Sequence, residues 1–157
     1  MSDTINFFAY NELMNEAHFK KNGLEYIERI TVTLSAWRIV FNKLPVEKDA
    51  PEGLGLPNIE PTPNNAGMME GVLYKMDESF LPKLDELFGY PGEYTRKLMD
   101  LNRHDFTTVK AAVYFAQPER IGEKLKPNKA MMKLYKSSKK DMSMLYFSRL
   151  MNTRTYD

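Results

Sequence analysis

Cysteine is absent from all 157 residues, which excludes a disulfide scaffold and a cysteine nucleophile. A reducing, cytoplasmic setting is the expectation. A dominant charge sign is missing as well: 22 basic residues face 21 acidic ones, and a net charge of +1 creates no field that would gather a polyanion. Nucleic acid is therefore not an expected partner. The two histidines, His18 and His104, are too few for an ordinary zinc site without cysteine, so no metal is expected and each is read as a surface or boundary residue. No stretch approaches the roughly 18 apolar residues of a membrane span. The opening residues carry no basic region before an apolar run, so neither a leader nor a membrane anchor is expected. Phosphate-binding glycine loops, dinucleotide fingerprints, nucleophile elbows and internal repeats are also missing, and no cofactor is expected.

What is present suits one soluble domain over residues 1–157, since hydrophobic residues make up 43% and charged residues 27% of the chain. Ile5 to Tyr10 is short, apolar and aromatic, as in a buried first strand. Asn11 to Met14 leads into a helix ending near Lys21, closed by Asn22 and Gly23. Arg29 to Asn42 alternates as a second strand whose parity shifts between Leu34 and Trp37, so a bulge near Ser35 and Ala36 is expected. Trp37, the single tryptophan, is read as core in preference to a stacking platform.

Lys43 to Asn65 holds more than half of the nine prolines and reads as a long connection that borders a pocket. Gly71 to Met76 reads as a strand, followed by a helix from about Asp77 with Pro82 in its first turn. Phe80, Leu81, Leu84, Leu87 and Phe88 form an apolar stripe at helical spacing, and Gly89 sits where a left-handed C-terminal cap is needed. Tyr94 to Leu101 and Thr107 to Ala116 read as two more strands. The lysines at 124, 126, 129, 133, 136, 139 and 140 are read as a solvated helix face, Asp141 to Met151 as a closing helix, and residues 152–157 as a frayed tail.

Leu84-Asp85-Glu86-Leu87-Phe88-Gly89-Tyr90-Pro91-Gly92-Glu93-Tyr94-Thr95-Arg96 resembles the segment that defines the γ-glutamylcyclotransferase-like proteins, in particular their AIG2-like and γ-glutamylamine cyclotransferase branch. Further pieces follow the same order: Tyr10 to Leu13, Trp37 to Phe41, the Gly71-Val72-Leu73-Tyr74 strand, Val113-Tyr114 and the stretch from Pro127. The resemblance implies an α+β fold, a mixed β-barrel flanked by helices. It also implies an activity in which the α-amine of a γ-glutamyl group attacks its own side-chain amide, releasing 5-oxoproline and an amine or amino acid. In that family the residue before the glycine is the catalytic glutamate, and here it is Phe88.

The resemblance further implies a ligand site built from Tyr10, Asn11, Glu12, Leu13, Phe88 and Tyr94, in which loop amides receive the glutamyl carboxylate. Asn11 replaces a glycine and is the least costly substitute where positive φ is required. Glu12 replaces a hydroxyl residue and is read two ways, as a solvent-facing acid favoured by the helix dipole or as an acid turned into the pocket. Turned inward, it would oppose a ligand carboxylate by about 1–4 kcal/mol at ~4 Å. Two functions remain open at this level. One is a non-cyclising protein that binds a small, γ-glutamyl-containing ligand or a protein partner; the other is an active cyclotransferase using a displaced carboxylate, Glu12 or Glu93. Glu86 lies about 200° around the helix from Phe88 and is expected to face away.

Overall fold

The computed structural model describes residues 3–157. Among the described residues, seven strands and four α-helices follow in the order β1 (Thr4–Ala9), α1 (Glu16–Lys21), β2 (Glu28–Ser35), β3 (Trp37–Lys43), β4 (Leu56–Pro61), β5 (Met68–Asp77), α2 (Leu81–Leu87), β6 (Tyr94–Asn102), β7 (Thr108–Ala116), α3 (Lys129–Lys136) and α4 (Met144–Met151). Five strands close a barrel in the order β1-β5-β2-β6-β7, while β3 and β4 form a separate antiparallel ribbon. Parallel pairing of β7 with β1 at Ala112 and Phe7 completes the barrel; its other pairings are antiparallel. The fold is thus α+β with a mixed barrel, as expected.

Strand alternation divides the core. Phe8, Tyr10, Val32, Leu34, Leu73, Met99, Leu101 and Val113 come from all five barrel strands or their ends and fill the interior. Phe7, Ala9, Val72, Tyr74 and Tyr114 point the other way, beneath Phe19 of α1, Leu84 of α2, Tyr135 of α3 and Leu150 of α4. β1 and β5 approach closely because of Gly71, where an added Cβ would lie 2.5 Å from the Phe8 ring and 2.6 Å from the Ala9 carbonyl oxygen. Glycine is required at this position for packing.

Three readings of the strands and tail are corrected. The parity shift after Leu34 is a complete break, with Ala36 at φ 67° sending the chain from the barrel into the ribbon. The proline-rich connection contains β4, whose prolines are tolerated because it pairs only with β3. The tail is tied down: the Tyr156 amide donates to the Pro127 carbonyl at 3.1 Å and the Asp157 carboxylate accepts from the Lys129 amide at 3.0 Å. In α2, Leu84 is fully buried but Leu87 is 44% exposed, so the apolar stripe is narrower than its spacing suggests. The seven lysines from 124 to 140 are exposed, and Trp37 is half-buried beside Phe115. Among the described residues, no helix is long and apolar enough to cross a membrane.

Candidate functional site

The loop after β1 is short because it folds on itself. Asn11 adopts φ −94°, so positive φ is not needed there; its side chain instead caps a 3-10 turn over Glu12–Met14. The Leu13 amide donates to Asn11 Oδ1 at 3.0 Å, the Met14 amide to the Asn11 carbonyl at 3.0 Å, and the Asn15 amide to the Glu12 carbonyl at 3.1 Å. Three loop donors are therefore satisfied within the loop. Asn15 then caps α1, its side chain accepting from the His18 amide at 2.9 Å.

This geometry settles the direction of Glu12. The residue as a whole is half-buried, yet its Oε2 is enclosed and without a hydrogen-bond partner. The solvent-facing reading is therefore corrected. Burial raises the Glu12 pKa, against smaller lowering contributions from its own backbone amide and from His18. Around it stand Tyr10, Tyr94 and Tyr135, each with a pKa raised first by burial and further by the Glu12 charge. Their hydroxyl protons point to carbonyls: Tyr10 to Tyr114 at 2.6 Å, Tyr94 to Pro57 at 2.7 Å, and Tyr135 to Tyr10 at 2.9 Å. The carboxyl thus has tyrosines as neighbours without receiving their protons.

Tyr135 was not among the residues singled out from the sequence. The signal for it was present: Tyr135 stands one helical turn beyond Met131, the position at which the resembled family carries tyrosine, and i,i+4 spacing keeps both on one face of α3.

On the opposite side, Gly89 at φ 60° ends α2 as expected, and Phe88 is its C-terminal cap residue. Phe88 is only 6% exposed. Its ring stacks on Tyr114 at 4.1 Å and meets Tyr94 and Phe7 edge-on at 5.2 and 5.9 Å. Tyr114 donates to Asp85 Oδ1, and Arg96 grips both oxygens of that carboxylate at 2.9 and 3.1 Å. Burial raises the Asp85 pKa, but the hydrogen bonds from Arg96 and Tyr114 outweigh it and hold the group below the usual range. Glu86 is exposed, in agreement with its expected direction.

Glu93, the other displaced-carboxylate candidate, is held by two cations through one oxygen. Its Oε1 accepts from Lys43 Nζ at 2.8 Å and from Arg120 Nε at 2.7 Å. Burial raises its pKa, and the two cations more than reverse that. A carboxylate so paired is a poor proton acceptor, and it lies outside the group formed by Glu12 and its tyrosines. Of the proposed ligand set, Leu13, Phe88 and Tyr94 belong to the layer between barrel and helices and Tyr10 to the barrel interior, while Asn11 and Glu12 lie on the loop after β1.

A search of curated protein sequences finds no match. Among solved structures, the chain is similar to one described as a gamma-glutamyl cyclotransferase, with a TM-score of 0.81 and 18% identity over 99% of this chain and 90% of that one. It is also similar to YkqA from Bacillus subtilis, with a TM-score of 0.79 and 18% identity, covering 99% of this chain but just 56% of YkqA. A mouse AIG2-like protein aligns with a TM-score of 0.52 and 20% identity over 74% of this chain and 82% of that one. These likenesses concern the fold. The family profile described as "Gamma-glutamyl cyclotransferase, AIG2-like" matches residues 7–136, and the chain belongs to that family.

Proposed function

We propose that this protein cyclises a γ-glutamyl group by proton transfer through Glu12, an acid carried on the loop after β1 instead of on the helix before Gly89. The observation that supports this reading is the enclosed Glu12 carboxyl, which has one oxygen without a partner and a pKa raised by burial. Such groups are costly to keep in a fold for structural reasons alone, and an acid/base works best when its pKa moves toward the operating pH.

The chemistry needs two proton transfers. The substrate α-amine forms a C–N bond with its own γ-carbonyl carbon, and Glu12 as carboxylate takes the proton from the attacking nitrogen. The resulting carboxyl returns that proton to the departing nitrogen as the original amide C–N bond breaks. The products are 5-oxoproline and a free amine. Intramolecular attack makes positioning the larger contribution, and acid/base assistance supplies a further ~10²–10⁴-fold.

A second reading, a non-cyclising protein that holds a small ligand or a protein partner, draws support from the loop. The Leu13, Met14 and Asn15 amides already have acceptors, and Phe88 closes the position from which the resembled family moves protons. Incubation with γ-glutamyl amines, γ-glutamyl amino acids and glutathione, with 5-oxoproline as readout, separates the two. Turnover that falls by at least about a hundredfold in Glu12→Gln is the expected result. No 5-oxoproline from any of these substrates, or undiminished turnover in Glu12→Gln, rejects the Glu12 mechanism.

A further inference from the structure

A cavity of about 260 Å3 lies between the β3–β4 ribbon, the start of β5 and helix α4. Its apolar wall comes from Ile39, Phe41, Met69 and Leu150. α4 presents Tyr146, Arg149 and Leu150 to it, the i, i+3, i+4 positions of one helix face, and Thr153 follows just beyond the helix end. Leu150 on this face is buried while Arg149 beside it is exposed, so the guanidinium stands at the rim of the cavity.

Arg149 has no ion-pair partner among the described residues, and Arg38 stands across the same cavity. Arg38 directs Nε and Nη2 at a single oxygen of Glu60, so Arg38 already has a carboxylate and Arg149 is the lining cation without an ion pair among the described residues. An interaction with the helix dipole accounts for a cation in the last turn of α4 but not for its direction toward an apolar hollow. Arg149 leaves a positive charge at the rim that an incoming anion can neutralise, and it offers a planar fork suited to a carboxylate.

We infer that this cavity binds a small carboxylate with an apolar body, its acid group held by Arg149 with Arg38 facing it across the cavity, and its hydrocarbon against Phe41, Met69 and Leu150. The volume falls just below the ~300 Å3 at which pockets for drug-sized ligands begin, so a compact molecule is the fitting occupant. The site is separate from Glu12 and does not depend on cyclisation. Phe41 meets Tyr135 edge-on at 6.1 Å, so one aromatic ring stands between the cavity and the tyrosines around Glu12.

N-acetyl-L-leucine is the probe and N-acetyl-L-leucinamide its neutral control, each titrated into the full chain by calorimetry and by backbone amide chemical shifts. The acid is expected to bind saturably at one site, at least about tenfold more tightly than the amide, with shifts centred on Ile39, Phe41, Met69 and Leu150. Arg149→Gln, at an exposed helix position, is expected to remove at least about tenfold of the acid's affinity while leaving that of the amide unchanged. Arg38→Gln tests the second guanidinium in the same way. Equal binding of acid and amide, an unchanged affinity in Arg149→Gln, shifts centred on Tyr10 to Leu13, or no saturable binding up to about 10 mM would each overturn the assignment. None of these measurements uses 5-oxoproline, so this site and the Glu12 mechanism stand or fall separately.

Discussion

The rings of Phe88 and Tyr114 lie face to face, with centroids 4.1 Å apart and planes within 3° of parallel. Phe7 and Tyr94 close the edges of the same ring, so the cap residue of α2 is held in an aromatic box that ties the helix to β1, β6 and β7. Phe88→Ala is therefore expected to cost about 3–5 kcal/mol of stability, read from the shift in a denaturant midpoint. A loss below about 1 kcal/mol would show that the box collapses around the gap. Phe88→Glu is expected to destabilise the fold without a gain in 5-oxoproline formation. The new carboxylate would lie buried among aromatic rings, where burial disfavours its charge. Turnover clearly above that of wild type would show instead that a carboxylate at position 88 can serve as the acid/base.

Asp85 positions the other face of this stack. It accepts from Tyr114 and from two nitrogens of Arg96, and its pKa is lowered despite partial burial. A depressed carboxyl contributes stability that is present above its unfolded pKa, near 3.9, and is lost as pH falls through the folded value. Asp85→Asn is expected to cost about 1–3 kcal/mol at neutral pH, with the gap between wild type and variant shrinking below about pH 4. Melting curves at pH 7 and pH 3.5 measure both, and a gap that stays constant with pH would remove the charge from the explanation.

Local signals were strong where one residue type has one physical use. Gly89 at the end of an apolar helical stripe was legible as a cap and serves as one, whereas the packing role of Gly71 shows only in the structure. β4 was hidden because Pro57 and Pro61 read as breakers, and only its pairing with β3 shows that it occupies an edge where missing amides do no harm. The break at Ala36 was legible as a change of parity but not as a change of sheet, which is a tertiary outcome. In the site, Asn11 was read through its backbone as a glycine substitute, whereas the structure uses its side chain as a cap. Glu12 looked like an ordinary first-turn acid. Its enclosure depends on Tyr94 and Tyr135, which lie 82 and 123 positions away in the chain, so no local pattern could disclose it.

Glu93 is a structural pivot. Lys43 is completely buried, and its ammonium donates to Glu93 and to the Leu44 carbonyl beneath the Tyr94 ring. Burial lowers the Lys43 pKa, with Glu93 pulling it back toward the charged form. Glu93→Gln would leave that ammonium without its counter-charge, at an expected cost of about 2–4 kcal/mol, somewhat under the 3–5 of a wholly enclosed pair because Glu93 is partly exposed. Lys43→Met in the same background is expected to recover part of the loss, since an apolar side chain of similar length carries no charge to strand. A double variant as unstable as the sum of the two singles would contradict the pairing.

Glu12 makes the opposite prediction about pH. Its folded pKa is raised by burial, so the folded state binds its proton more tightly than the unfolded chain does. The associated stability is fully present below the unfolded pKa, near 4.3, and is lost as pH rises through the folded value. Wild type therefore carries at neutral and alkaline pH a destabilisation that Glu12→Gln lacks, because an amide of the same shape has no charge to enclose. The variant is expected to melt higher than wild type at pH 8 and to converge with it below about pH 4, while losing 5-oxoproline formation. Greater stability together with lost turnover is the pattern of an acid kept for chemistry at the expense of the fold. A variant less stable than wild type at pH 8 would instead make Glu12 a structural residue and leave the cyclising mechanism without its acid.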